Sequence, residues 1–219
     1  MTQTTVHKIL DAAVALFAEK GFEEASVRDI TSRAGVNLAA INYHFGSRDA
    51  LVQAVAERYF TPLCRELERR FDDLAADKHA ASAEELVEAA MLSMLKAVSR
   101  DPQGISLFLG LINYAYQGGQ EELRQFLLRR YGTALKRFLV HLRKVMPRLS
   151  DDEFIWRCHF LLGTLVLPLA GHEVVCQIEE AYSQTRSNLS LTLHRLVPVL
   201  AAGLRAEADM VSRRGEELW

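Results

Sequence analysis

The chain has 219 residues, 49% of them hydrophobic and 25% charged, with a net charge of −2. This is the composition of an ordinary globular protein long enough to bury a core, and it gives no support to a partner chosen by overall positive charge. Three cysteines (Cys64, Cys158, Cys176) with no CxxC pair exclude a disulfide framework and lead to an expectation of reduced thiols and a cytoplasmic location.

Apolar residues recur at helical spacing almost throughout and no segment alternates like a strand. The expected fold class is therefore all-α, with about nine helices. Val6, Ile9, Leu10, Ala13, Leu16 and Phe17 stripe a first helix, capped by Thr4 or Thr5 and ended at Gly21. Ser26 caps a short second helix with Val27, Ile30 and Ala34 inward, broken by Gly35. Asn37 caps a third that ends near Phe45. Gly46-Ser47 breaks the chain again, and Ser47 caps a fourth helix through Leu51, Val52, Val55 and Tyr59. Pro62 falls inside this pattern and is expected to kink or interrupt it before it resumes at Leu63, Leu67 and Phe71.

Residues 75–82 read as a loop, and Ser82 with Glu85 makes a capping box for a helix through Leu86, Ala90, Met94 and Val98. Pro102 opens another, through Leu107, Leu111 and Tyr114, stopped by Gly118-Gly119. A long helix follows from about 121 to 146, ended by Pro147. Ser150 with Glu153 repeats the capping-box pattern for a helix over about 151–171 that is apolar almost all round. A last helix spans about 186–208, bent near Pro198, and the chain beyond Asp209 reads as a frayed tail. The longest weakly polar run, 160–171, is too short to cross a bilayer, and the N-terminus lacks the apolar segment of a secretory signal, so no membrane role is expected.

The second and third helices, with a glycine turn between them, make a helix-turn-helix arrangement. A recognition helix must lie in a DNA major groove about 12 Å wide, so its outer face has to be free of bulky apolar groups while its inner face is anchored. Val36, Ile41 and Phe45 can anchor it. Leu38, Ala39 and Ala40 lie on its first turn, where the alanines permit close approach to base edges. Asn42, Tyr43 and His44 can reach bases or phosphates. Asn37 can meet a phosphate alongside free backbone N–H groups, Ser26 stands at the start of the preceding helix, and Arg28 and Arg48 add positive ends. Residues 26–48 hold three arginines against one acid, Asp29, so any electropositive face is local. A helix–Gly–helix corner is also common in all-α proteins generally. The rival reading is an all-α protein that binds a lipid or fatty-acyl ligand and has no DNA role.

Residues 6–55 resemble the N-terminal domain of TetR-family transcriptional regulators. The similarity runs through ILDAAVALFAEKGFEEASVRDITSRAGVNLAAINYHFGSRDAL. It includes F-x-x-x-G-F (Phe17, Gly21, Phe22), I-x-x-x-A-G-V (Ile30, Ala34, Gly35, Val36) and Y-x-F (Tyr43, Phe45). Ile41-Asn42 stands where the family often has Leu-Tyr, and Arg48 where many members carry Lys. GVNLAAINYHFGS and YFTPLCREL are also similar to the PsrA-type group, which responds to long-chain fatty acids or their derivatives. The resemblance implies a ligand-released repressor, not an enzyme, that needs no cofactor. It would work as a homodimer on double-stranded operator DNA and answer to a small apolar or amphipathic effector. A DNA-binding domain over 1–47, a ligand-binding and dimerisation domain over 48–208 and a flexible tail over 209–219 would follow.

Residues in the second domain fit those roles, each beside a plainer one. Leu107, Phe108, Leu111 and Tyr114 with Phe126 can line an apolar pocket or pack as core. Trp156 and Phe160, with Leu189, Leu193 and Leu196, can form a two-fold four-helix interface or the centre of a monomer. Arg124, Arg129, Arg130 and Arg137 can receive an acidic ligand or lie on a solvated face. His172 and Cys176 have metal-ligand spacing, but no third and fourth ligand is evident and no metal is expected. There is no G-x-S-x-G, P-loop or G-x-G-x-x-G to suggest catalysis.

Overall fold

A computed structural model describes residues 4–76, 80–99, 101 and 103–206. Pro102 and the tail expected beyond residue 208 lie outside the described residues. Ten helices form, with no strand among the described residues: α1 (Thr5–Glu24), α2 (Val27–Ala34), α3 (Ala39–Phe45), α4 (Arg48–Ala76), α5 (Ala83–Val98), α6 (Gly104–Tyr116), α7 (Glu121–Val145), α8 (Asp151–Ala170), α9 (His172–Ser183) and α10 (Leu189–Arg205). The all-α expectation holds.

Expected caps are in place. Ser26 and Asp29 form a full capping box, as do Ser82 and Glu85, and Ser47 Oγ accepts from the Ala50 amide at 3.0 Å. Ser150 makes half of one. Its hydroxyl accepts from the Glu153 amide, but the Glu153 carboxylate turns to Arg157 at 2.7 Å.

Two details depart from expectation and one narrows it. Helix α1 continues through Gly21 to Glu24 with a kink, because Gly21 takes φ 83°, ψ 170°, which a side chain would disfavour. Helix α4 is not interrupted at Pro62, one of the two outcomes expected there. Helix α9 is additional: it starts at Gly171 with no side-chain cap, so the usual start signal is missing from its sequence.

By compactness the chain divides into two units, neither ending at residue 47. The first comprises the chain to Glu66 and Ser93–Leu135, and the second comprises Leu67–Leu92 and the chain from Lys136. Helices α1–α3 therefore share a compact unit with α6, the first part of α4 and the first part of α7.

The core of the first unit is built on α1. Ile9, Ala12, Ala13, Leu16, Phe17 and Phe22 are buried there, with Leu51, Val52, Val55 and Ala56 of α4 and Leu107, Phe108 and Leu111 of α6. Phe22 stacks between Phe17 (centroids 4.6 Å apart) and Tyr114 of α6 (5.1 Å). A polar tie runs alongside: Arg58 bridges Asp11 (2.6 Å) and Asp101 (3.0 Å), and the Tyr59 hydroxyl donates to Asp101 at 2.8 Å. Burial and that acceptor push the Tyr59 phenol far above its ordinary range.

In the second unit Phe71 of α4 stacks on Phe138 (5.7 Å) and His141 (4.9 Å) of α7. Helices α8 and α10 pack together, and Phe154 and Leu161 of the one and Leu193, Leu200 and Leu204 of the other are buried. Arg157 is only 5% exposed. It pairs with Glu153, and its Nη1 donates to the carbonyls of Leu204 (2.8 Å) and Ala206 (2.5 Å), satisfying the open carbonyl end of α10. Helix α8 is long and apolar enough to cross a membrane by length and composition alone. Three of its apolar residues, Ile155, Trp156 and Phe160, are exposed.

Replacing Arg157 by Met removes the Glu153 partner and leaves the α10 carbonyls without donors. Urea denaturation should show a loss of about 3 kcal/mol, and an unchanged midpoint would refute the capping role.

Candidate nucleic-acid interface

The corner between α2 and α3 is held by a small number of bonds. Thr31 is buried, and its hydroxyl donates back to the carbonyls of Val27 and Arg28, each at 3.1 Å. Gly35 caps α2 in the left-handed region (φ 65°, ψ 36°), and its amide and that of Val36 return to the Ser32 and Thr31 carbonyls. At the start of α3 the Asn37 carboxamide oxygen accepts from the Ala40 amide at 2.9 Å. At its end the Gly46 amide donates to Ile41 and Asn42. Ile41 is the buried side chain of α3; Val36 and Phe45 are half-buried beside it.

That single anchor leaves the remaining faces open. Ser26, Arg28, Asn37, Leu38, Ala39, Asn42, Tyr43 and His44 are all exposed, and Ala40 is half-buried. Tyr43 is 85% exposed, and its ring meets that of His44 edge-on at 4.9 Å. The surface combines small residues, one amide, one phenol and one imidazole. It offers donors and acceptors for base edges and phosphates with little steric bulk. Asn37 thus caps α3 as expected, and its NH₂ is the group left for a phosphate.

Most cations near this surface are engaged within the protein. Arg33 makes a two-pronged pair with Glu19 (2.8 Å each), which holds the Glu19 carboxyl below the usual range. Lys20 lies 3.6 Å from Asp29, whose carboxyl is held low mainly by hydrogen bonds from the Ser26 hydroxyl and amide. The α2 cap therefore persists until pH falls below the ordinary carboxylate range. Arg28 is exposed and makes no ion pair among the described residues. Arg48, expected to face a phosphate, is directed inward in this structure. It is half-buried, its Nη2 donates to the Phe22 carbonyl, and its guanidinium lies 6.0 Å over the Phe17 ring. Neither Glu19 nor the Phe22 carbonyl was marked by any local pattern.

The other candidate sites are rearranged. Leu107, Phe108, Leu111 and Tyr114 are buried core residues, and Phe126 is half-buried. An aromatic cluster gathers part of this set: Phe60 lies 5.2 Å from Phe108 and 5.6 Å from Tyr131, and Phe126 meets Tyr131 edge-on at 6.5 Å. Thr61 and Tyr131 share a hydroxyl hydrogen bond of 2.8 Å. Arg124 caps α6 through the Ala115 and Gln117 carbonyls, and Arg130 and Arg137 pair with Glu57 and Asp72.

Trp156 and Phe160 are 61% and 53% exposed and stack on each other at 5.6 Å. Leu189 and Leu196 are half-buried. Leu193 is buried within the subunit, so it cannot contribute to an outer interface, and the exposed apolar residues of α10 are Leu191 and Val199. Cys176 Sγ donates to the Ser187 carbonyl at 3.0 Å and lies 3.5 Å from His172 Nδ1. No group of three or more metal-ligating residues gathers among the described residues.

If Arg28 meets a phosphate and Asn42 a base edge, their variants divide as follows. Arg28→Ala should flatten the dependence of log affinity on log salt by about one unit. Asn42→Ala should alter base preference and leave that slope in place. Titration of each variant with duplexes selected from a random pool distinguishes them, and equal losses on all duplexes with equal slopes would contradict the division.

Comparison with known proteins agrees with the geometry. Residues 9–55 match the family described as bacterial regulatory proteins of the tetR family, and residues 88–203 match the tetracyclin repressor-like C-terminal domain. The chain is 36% identical over 101 residues to the HTH-type transcriptional dual regulator CecR of Shigella flexneri, covering 43% of this chain and 44% of that protein. It is 28% identical over 144 residues to the regulator BetI of Rhizobium meliloti, covering 66% of each. The match to CecR thus spans under half of that relative's length. Among solved structures, a TetR-like regulator from Rhodococcus sp. RHA1 aligns with a TM-score of 0.60 at 18% identity, covering 94% of this chain and 100% of that one. The fatty acid degradation regulator FadR of Bacillus halodurans aligns at 0.57 and 18%, covering 90% and 98%. With family matches over both its N-terminal segment and more than half of its length, the chain belongs to the TetR family of transcriptional regulators, which are not enzymes.

Proposed function

We propose that this protein is a repressor that binds a two-fold operator as a homodimer and releases it when an apolar or amphipathic effector binds. The observation that carries the reading is the outer face of α3: Asn42, Tyr43 and His44 exposed over one buried Ile41. Operator binding needs two such helices about 34 Å apart, one per half-site. The exposed apolar residues of α8 and α10 (Ile155, Trp156, Phe160, Leu191, Val199), Trp156 and Phe160 stacked among them, support pairing with a second copy.

For the effector, the resemblance to the fatty-acid-responsive group and the half-buried aromatic rings of Phe60 and Phe126 favour a long-chain fatty acid or acyl derivative, received between α4, α6 and α7. Helix α6 and the first parts of α4 and α7 share the compact unit of α1–α3, so an effector that binds more tightly to a displaced α6 shifts the population away from the DNA-competent arrangement.

Trp156→Glu should convert the dimer to a monomer in sedimentation and weaken operator binding by at least about tenfold, equivalent to 1.4 kcal/mol. A variant that stays dimeric would relocate the interface. Titrating fatty acids and acyl thioesters of increasing chain length into the DNA complex tests the effector: a compound that binds the protein and leaves DNA affinity unchanged counts against ligand release.

A further inference from the structure

Arg48 opens α4, immediately after the turn that ends α3. On a protein surface facing DNA, an arginine here would be expected to extend outward to a phosphate. Its guanidinium instead turns inward, bonded to the Phe22 carbonyl and lying over the Phe17 ring. Phe22 belongs to the last turn of α1, beyond the Gly21 kink, where carbonyls have no partner further along the helix and carry the negative end of its dipole. A cation donor is therefore favoured at that point. The planar, weakly hydrated guanidinium can donate to the carbonyl and cover the ring together, which an ammonium cannot do equally.

The Phe22 ring, in turn, lies between Phe17 and Tyr114 of α6. One buried residue thus receives the start of α4 on its carbonyl and α6 on its ring.

We propose that Arg48 is a positioning residue for DNA recognition rather than a phosphate contact. Through Phe22 it sets the attitude of α3 and the start of α4 against α1, and it ties that attitude to α6. The inference rests on α3 being the recognition helix. Any shift of α6 that moves Tyr114 moves Phe22, and with it the carbonyl that Arg48 grips.

The test compares wild type, Arg28→Ala, Arg48→Ala and Arg48→Lys on the tightest duplex selected from a random pool, across a series of salt concentrations, with thermal melting as the folding control. Wild-type binding with a normal salt slope stands or falls by itself and reports on α3 as the recognition helix. Arg48→Lys keeps the charge, yet it should lose more than about threefold in affinity at every salt concentration with an unchanged slope, and Arg48→Ala should lose at least as much. Arg48→Lys within threefold of wild type, or an Arg48→Ala slope shallower by about one unit as for Arg28→Ala, overturns the proposal. If Arg48→Ala does not fold, Arg48→Lys decides. Without DNA, hydrogen exchange across residues 39–45 should speed up in Arg48→Lys and stay constant across α5; unchanged exchange over α3 also overturns it.

Discussion

A seven-residue helix cannot hold itself together in water, because nucleation costs more than so few hydrogen bonds return. Helix α3 persists because its two ends are capped and one side chain, Ile41, is fully enclosed. Full burial of an isoleucine contributes about 2–3 kcal/mol. Having only one fully buried anchor has a functional side: Ala39, Asn42, Tyr43 and His44 remain available to the exterior. The rest of the first unit works as support for that arrangement. Helix α2 supplies the corner through Thr31 and Gly35, and α1 supplies the buried wall behind it.

Charge is distributed in a way that fits this division. The first 50 residues carry no excess of cations, and Arg33, Lys20 and Arg48 are directed to partners inside the protein. Exposed pairs such as Arg33–Glu19 add little to stability, but they hold the cations away from nonspecific contact with phosphates.

Much of the fold could be read from the sequence because helix ends are local chemistry. Ser26 with Asp29, Ser47, and Ser82 with Glu85 announce their helices within four residues, and Gly35 announces the turn. The outward set on α3 was legible for the same reason. What escaped depended on partners far along the chain. Arg48 looks like a surface cation until Phe22, 26 residues earlier, is seen to receive it. Leu193 shares its spacing with neighbours that are half-buried, and only the packing of α10 on α8 shows that it faces inward. Helix α9 lacks the polar cap that marks helices such as α2, α4 and α5, and no proline opens it in its place.

Arg157 closes the far end of the α8–α10 pair by filling the carbonyl positions that would otherwise fray. Fraying would blur the contour presented by Trp156, Phe160 and Val199. Since the pair is tied before anything covers it, whatever docks there meets a surface whose shape is already settled, and little ordering entropy is lost on docking.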